Sequence, residues 1–149
     1  MAKSVSLTLV AVALLGGGCS RHPTWTYRGE FHEAIAQADR AVFRDDGFDY
    51  YGRASKAKTL FEITEPSEIR QFAERLEFKK GQVLTVCACA GYPRIDWYRG
   101  KEHIALASIQ HGRAVRWKGF QGDAHLTPKS SQWLVKWLAE HGVDEKKMK

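Results

Sequence analysis

At 149 residues, with 44% hydrophobic and 27% charged side chains, 13 Gly and 4 Pro, the chain has the make-up of an ordinary globular protein, not of a disordered, collagen-like or coiled-coil one. Its formal net charge of +6 favours encounters with anionic surfaces. The basic residues are scattered among Asp, Glu and aromatics, however, with no stripe to track a phosphate backbone, so no nucleic-acid partner is expected.

The chain opens with Lys3 and an almost wholly apolar run over 5–15, followed at once by Gly16-Gly17-Gly18-Cys19. A spanning helix needs about 20 apolar residues, and this shorter run has the layout of a cleaved export signal. At Leu15-Gly16-Gly17-Gly18-Cys19 the sequence resembles the bacterial lipoprotein signal, in which small residues precede a cysteine that is lipidated and becomes the new N-terminus. Gly16 stands where that pattern prefers Leu. The resemblance implies cleavage before Cys19, acylation of Cys19 and, with Ser20 in place of Asp beside it, sorting to the outer membrane. The chain then divides into a signal over 1–18, a tether over 19–29 around Pro23, and one domain over 30–149 facing the periplasm. Several acyl chains, each CH2 contributing about 0.8 kcal/mol, anchor such a domain stably. The mature chain from Cys19, roughly 130 residues, is long enough to bury about two thirds of its surface, so neither metal nor disulfide is needed for folding.

Within the domain, residues 30–38 set Phe31, Ala34, Ile35 and Ala38 on one helical face. Residues 40–45 read as a strand ended by Asp46-Gly47, and 58–63 as the next. Thr64 then offers a cap, Pro66 sits in a first helical turn, and Ile69, Phe72, Ala73 and Leu76 form one apolar stripe. Four short strand-like runs follow over 83–89, 94–98, 103–109 and 114–117, each joined by turn residues. Two-residue loops at Arg99-Gly100 and His111-Gly112, with a four-residue loop over 90–93, pair Asp96 with both Cys87 and His103. That register gives Leu84, Val86, Ala88, Ile95, Trp97, Ile104, Leu106, Val115 and Trp117 to the face the helices cover. Thr85, Cys87, Cys89, Arg94, Asp96, Tyr98, His103, Ala105, Ala107 and Arg116 fall on the other. Thr127-Pro128 opens a last helix, with Leu134, Trp137 and Leu138 as its stripe and His141-Gly142-Val143 as its stop; residues 144–149 are expected to fray. The fold class expected is α+β, an antiparallel β-meander with helices packed on one face in two layers.

Chemistry centres on Cys87-Ala88-Cys89. With Cys19 lipidated, two cysteines remain in an oxidising compartment, which points to a disulfide. In a regular strand, residues i and i+2 stand about 6.5 to 7 Å apart, whereas a disulfide wants β-carbons about 3.8 Å apart. Only a bulge or turn beside Gly91 permits closure. The pair is a reducible disulfide, two thiols, or two ligands of a soft metal such as Zn or Cu. The register adds Asp96 and His103, a four-ligand set for Zn or a Cys2His set for copper. Against this stands the plain alternative that both cysteines pack as small apolar residues, with no cofactor. Arg94 and Arg116, flanking Ala105 and Ala107, offer contacts to an anion, but no acid, base or nucleophile is set beside them, so no catalytic residue is assigned. His111 is a further ligand contact on a loop, though its first role is in a hairpin turn where Gly112 supplies a positive φ and His111 tolerates one. Asp123, Ser130 and Ser131 read as loop and helix-entry residues.

The run Cys-Ala-Cys-Ala-Gly-Tyr-Pro-Arg-Ile-Asp-Trp-Tyr-Arg-Gly over 87–100, Gln110-His111-Gly112-Arg113, Arg116-Trp117 and the closing tryptophan helix together resemble an uncharacterised domain of exported bacterial proteins, covering 39–143. That resemblance implies a single domain and attaches no activity. The expectation is a lipid-anchored envelope protein, in contact with the membrane through its N-terminal lipid, with a non-enzymatic domain that binds a protein or small ligand. The alternative is a metal-binding or thiol-active envelope protein using Cys87 and Cys89.

Overall fold

In the computed structural model the described residues are 28–48, 56–80 and 85–148, so the expected signal, the lipidation site and the tether up to residue 27 lie outside them, while residues 28 and 29, expected to end the tether, open the first helix. The elements in chain order are α1 (Arg28–Ala36), β1 (Arg40–Arg44), β2 (Thr59–Ile63), α2 (Pro66–Arg75), β3 (Arg94–Arg99), β4 (Glu102–Gln110), β5 (Ala114–Trp117), β6 (Ala124–His125), α3 (Pro128–Glu140) and a 3-10 turn, Glu145–Met148. All strand pairs are antiparallel, in the order β2-β1-β3-β4-β5-β6. The expected α+β class, helices with an antiparallel sheet, is what the chain adopts.

One sheet face carries the core: Ala41 and Phe43 from β1, Ile95 and Trp97 from β3, Ala105, Ala107 and Ile109 from β4, Val115 and Trp117 from β5. Each helix sets a ring against it. Phe31 of α1 stacks on Trp117 at 4.6 Å, Phe72 of α2 lies 5.6 Å from Trp97, and Trp137 of α3 lies 5.5 Å from Phe43. Aromatic pairs at such separations add to the burial of their own large apolar areas.

The sequence register differs from the structure at two places. Between β3 and β4 the turn is Gly100-Lys101, and the pairing runs Arg99 to Glu102, Tyr98 to His103, then Trp97 to Ala105. Ile104 is therefore the extra residue of a bulge. Because side chains alternate with period two, one inserted residue turns the rest of the strand over. Ala105 and Ala107 go to the core face beside Ile109, not between Arg94 and Arg116, and Leu106 goes to the opposite face. Between β4 and β5 the loop has three residues, since Gln110 pairs with Ala114. His111 and Gly112 take the left-handed turn, at φ 52° and 62°. Arg113 stays out of the β4–β5 ladder because its carbonyl accepts from Leu126 N–H at 2.8 Å. This second insertion restores β5 to the expected phase, so Val115 and Trp117, like Ile95 and Trp97 on β3 ahead of both insertions, are buried as the alternation requires.

No strand forms over the described part of 83–89. Thr85 makes an isolated bridge to Asp123, and both edges of β3 are filled by β1 and β4, so Cys87 does not pair with Asp96. Val86, expected in the core, is 52% exposed. At the helix ends, Glu65, not Thr64, precedes α2, and it makes no side-chain cap bond. Thr127 caps α3 by accepting Ser130 N–H at 3.2 Å. Gly142, at φ 81°, closes α3 with Val143 N–H reaching Leu138 O at 3.0 Å. Residues 144–148, expected to fray, are instead tied down: Met148 is buried in the core and Lys147 Nζ reaches Asp45 Oδ1 at 2.8 Å.

Trp97 is fully buried, while Tyr98 is half-buried with the Arg40 guanidinium over its ring. Trp97→Ala is expected to cost about 3 to 5 kcal/mol in denaturant melts, as large-to-small core changes do, and Tyr98→Ala clearly less.

Candidate functional site

The segment carrying the cysteines is held by an ion pair. Arg116 on β5 and Asp123, just before β6, are both at least 97% buried. Arg116 Nε donates to Asp123 Oδ1 at 2.7 Å and Nη2 to Oδ2 at 3.1 Å. Two further guanidinium hydrogens go to the cysteine segment: Nη1 to Cys89 O at 2.8 Å and Nη2 to Cys87 O at 2.6 Å. Asp123 Oδ2 in turn accepts Cys87 N–H at 2.7 Å, and Asp123 N–H donates to Thr85 O at 2.7 Å. A buried ion pair is tolerated when its spare hydrogen-bonding capacity is filled, and here the backbone of 85–89 fills it. Gln110, buried on β4, donates from Nε2 to Ser108 Oγ at 2.8 Å. Gly91, at φ 77°, passes so close to that amide that a Cβ would collide with Nε2 and lie 2.7 Å from Ile109 O.

Bent in this way, the Cys87 and Cys89 Cα atoms are 5.3 Å apart, and their sulfurs sit at disulfide distance. The strand geometry that stood against closure is absent. The left-handed turn at His111 brings its Nε2 to 3.2 Å from Cys87 Sγ and 3.3 Å from Cys89 Sγ. These three ligand atoms lie within 4.8 Å of one another and could hold a metal ion. The two sulfurs differ in their surroundings. Cys87 Sγ accepts Cys89 N–H at 3.3 Å, whereas Cys89 Sγ lies 3.0 Å from Gln110 Oε1, an acceptor for a thiol hydrogen.

Asp96 and His103 do come together, but with each other and not with the cysteines. Asp96 Oδ1 is 3.3 Å from His103 Nε2 and 3.5 Å from Arg94 Nε, and Oδ2 accepts Arg44 Nε at 2.5 Å. Arg94 also donates to Asp46 at 2.9 Å. Burial raises the Asp96 carboxyl pKa, and the hydrogen bonds from His103 and Arg44, with the Arg94 charge, outweigh it, leaving it below the ordinary carboxylate value. Both arginines expected to contact an external anion thus engage internal carboxylates. In the sequence, Asp123 reads as a loop residue and Gln110 is given no role, so neither is assigned to the site. A signal for Asp123 was present: a buried arginine needs a carboxylate, and Asp123 is the first acid after Arg116.

Beside the sulfurs opens a cleft of about 540 Å³, lined by Cys87, His111, Lys79, Arg113, Asp123 and His125, and by Pro128 and Ser131 from the first turn of α3. His125 Nε2 is 2.7 Å from Thr85 Oγ1. Among the described residues no helix is long and apolar enough to cross a membrane. Compared with known protein families, curated proteins and solved structures, the chain matches none.

Two stability measurements check this geometry. Asp123→Ala strands a buried guanidinium and is expected to cost about 3 to 5 kcal/mol. A double Cys→Ala replacement at 87 and 89 closes no long loop and should shift stability by on the order of 1 kcal/mol, a few degrees in melting temperature. For Asp96, the folded carboxyl has the lower pKa, so between that value and about 4 the unfolded chain binds more protons and stability rises with pH. Its contribution is fully present above about pH 4 and is lost as pH falls through the folded value. Urea midpoints across the acid range should fall more steeply for the wild type than for Asp96→Asn.

Proposed function

We propose that the chain is a lipid-anchored protein of the bacterial cell envelope, periplasm-facing, whose domain acts as a thiol–disulfide couple through Cys87 and Cys89. The observation that carries this reading is the convergence of both sulfurs on His111 Nε2, at 3.2 and 3.3 Å, beside an open cleft. An imidazole against a sulfur favours its thiolate, the reactive form. The scaffold grips the Cys87 and Cys89 carbonyls, not the sulfurs, so the sulfur–sulfur bond can open and close on a fixed backbone. In the reduced state a Cys89 thiol has Gln110 Oε1 to donate to, and Cys87 is better placed to carry negative charge. The donor set favours a second reading, that the reduced pair with His111 binds one soft cation, Cu(I) or Zn(II), as thiolate and imidazole ligands prefer.

The experiment uses full-length protein purified in detergent. Mild dithiol reductant should release two thiols in the folded protein, mapped to the peptide carrying residues 87 and 89. Under anaerobic conditions the reduced protein, titrated with Cu(I) or Zn(II) against a chromophoric chelator, should bind one ion on the second reading and none on the first. A pair inert to reductant until the protein unfolds would overturn the thiol reading. In cells, Cys19→Ala should move the protein out of the membrane fraction, and unchanged membrane association would refute the anchor.

A further inference from the structure

We propose that the cleft beside Cys87 receives a small thiol carrying carboxylates, which exchanges with the Cys87–Cys89 disulfide by attack on the Cys87 sulfur. The inference rests on the thiol reading and adds to it a substrate class and a direction of attack. Cys87 is among the described residues that line the cleft and Cys89 is not. A nucleophile arriving from the cleft therefore meets Cys87 first, with Cys89 as leaving group.

The charge of the cleft selects the ligand. The cationic side chains Lys79 and Arg113 line it, together with the N-terminal turn of a 13-residue helix, whose dipole favours negative charge. Asp123 is the one carboxylate among the described lining residues, and its charge is matched by Arg116 through two hydrogen bonds. A volume of about 540 Å³ is that of a small-molecule site.

The exchange balances in two steps. The ligand thiolate bonds to Cys87 Sγ as the Cys87–Cys89 bond breaks, and the electron pair leaves on Cys89 Sγ, which takes up a proton equivalent to the one the ligand lost. A second ligand thiolate then attacks the ligand sulfur of the mixed disulfide, and Cys87 departs with its electron pair and is protonated in turn. Two ligand thiols are oxidised to one disulfide, and the protein disulfide is reduced to two thiols.

The test reacts oxidised full-length protein in detergent with glutathione (anionic), 2-mercaptoethanol (neutral) and cysteamine (cationic) at equal thiolate concentration. After an acid quench, the mixed disulfide is located by peptide mass spectrometry. At low ionic strength glutathione is expected to open the disulfide at least about tenfold faster than cysteamine, the lower end of what electrostatic steering gives, with the adduct on Cys87. High salt should erase the advantage, and so should Arg113→Glu, a change at an exposed side chain. A cysteamine rate that rises in that variant would show its site intact. Equal rates for all three thiols, or an adduct on Cys89, would overturn this proposal and leave the thiol reading standing. A disulfide that none of the three opens would overturn both.

Discussion

Arg116 is buried on β5, one strand in from the sheet edge, on the face opposite the aromatic core, where an unpaired guanidinium would be prohibitively costly. Its pairing with Asp123 removes that cost and dictates much of what lies around it. Asp123 must lie within reach, which brings the 118–123 loop back along β5 and lets β6 add to the sheet edge. The two acceptors left for Arg116 are the carbonyls of Cys87 and Cys89, so the pair also decides where the cysteine segment crosses the sheet. A segment whose carbonyls and one amide are taken by a side-chain ion pair has no ladder to join, and residues 85–89 accordingly lie over the sheet as a bent loop.

The core was legible because alternation is robust to paired errors. The Ile104 bulge and the three-residue loop at His111 each turn a strand over, and together they cancel for β5. Only β4 between them is inverted, so the large residues Ile95, Trp97, Val115 and Trp117 were placed correctly while Ala105, Ala107 and Leu106 were not. Alanine is small enough to be read on either face, which is why composition gave no warning. The bulge itself leaves no mark in the local sequence, and the extra loop residue is set by a distant acceptor relation, Leu126 N–H to Arg113 O.

The site was legible in its elements and not in its grouping. Cys87, Cys89, Asp96, His103, Arg94, Arg116 and His111 all take part in polar contacts, but in two clusters that the register had merged. Asp96, His103, Arg44 and Arg94 form an internal charge network, the usual state of a buried carboxylate, and lie apart from sulfur. His111, whose turn conformation was correctly read from the following glycine, carries the imidazole that meets both cysteines. The positive φ is the connection between the two roles: it turns the chain back between β4 and β5 and directs the ring at the cysteine loop.

These two clusters divide the work of the sheet face opposite the core. Asp96 and its arginines join β1, β3 and the Asp46 turn, and involve no residue of the cysteine loop. The Arg116 clamp holds that loop by backbone atoms alone. The clamp and the aromatic core use no cysteine sulfur, so a change in the oxidation state of that sulfur removes none of their contacts. A disulfide closing two residues on such a scaffold constrains little of the unfolded chain and has small structural consequence in either state. That is the physical condition for a couple that cycles without unfolding its protein, or for a dithiol that takes a metal ion and gives it up again.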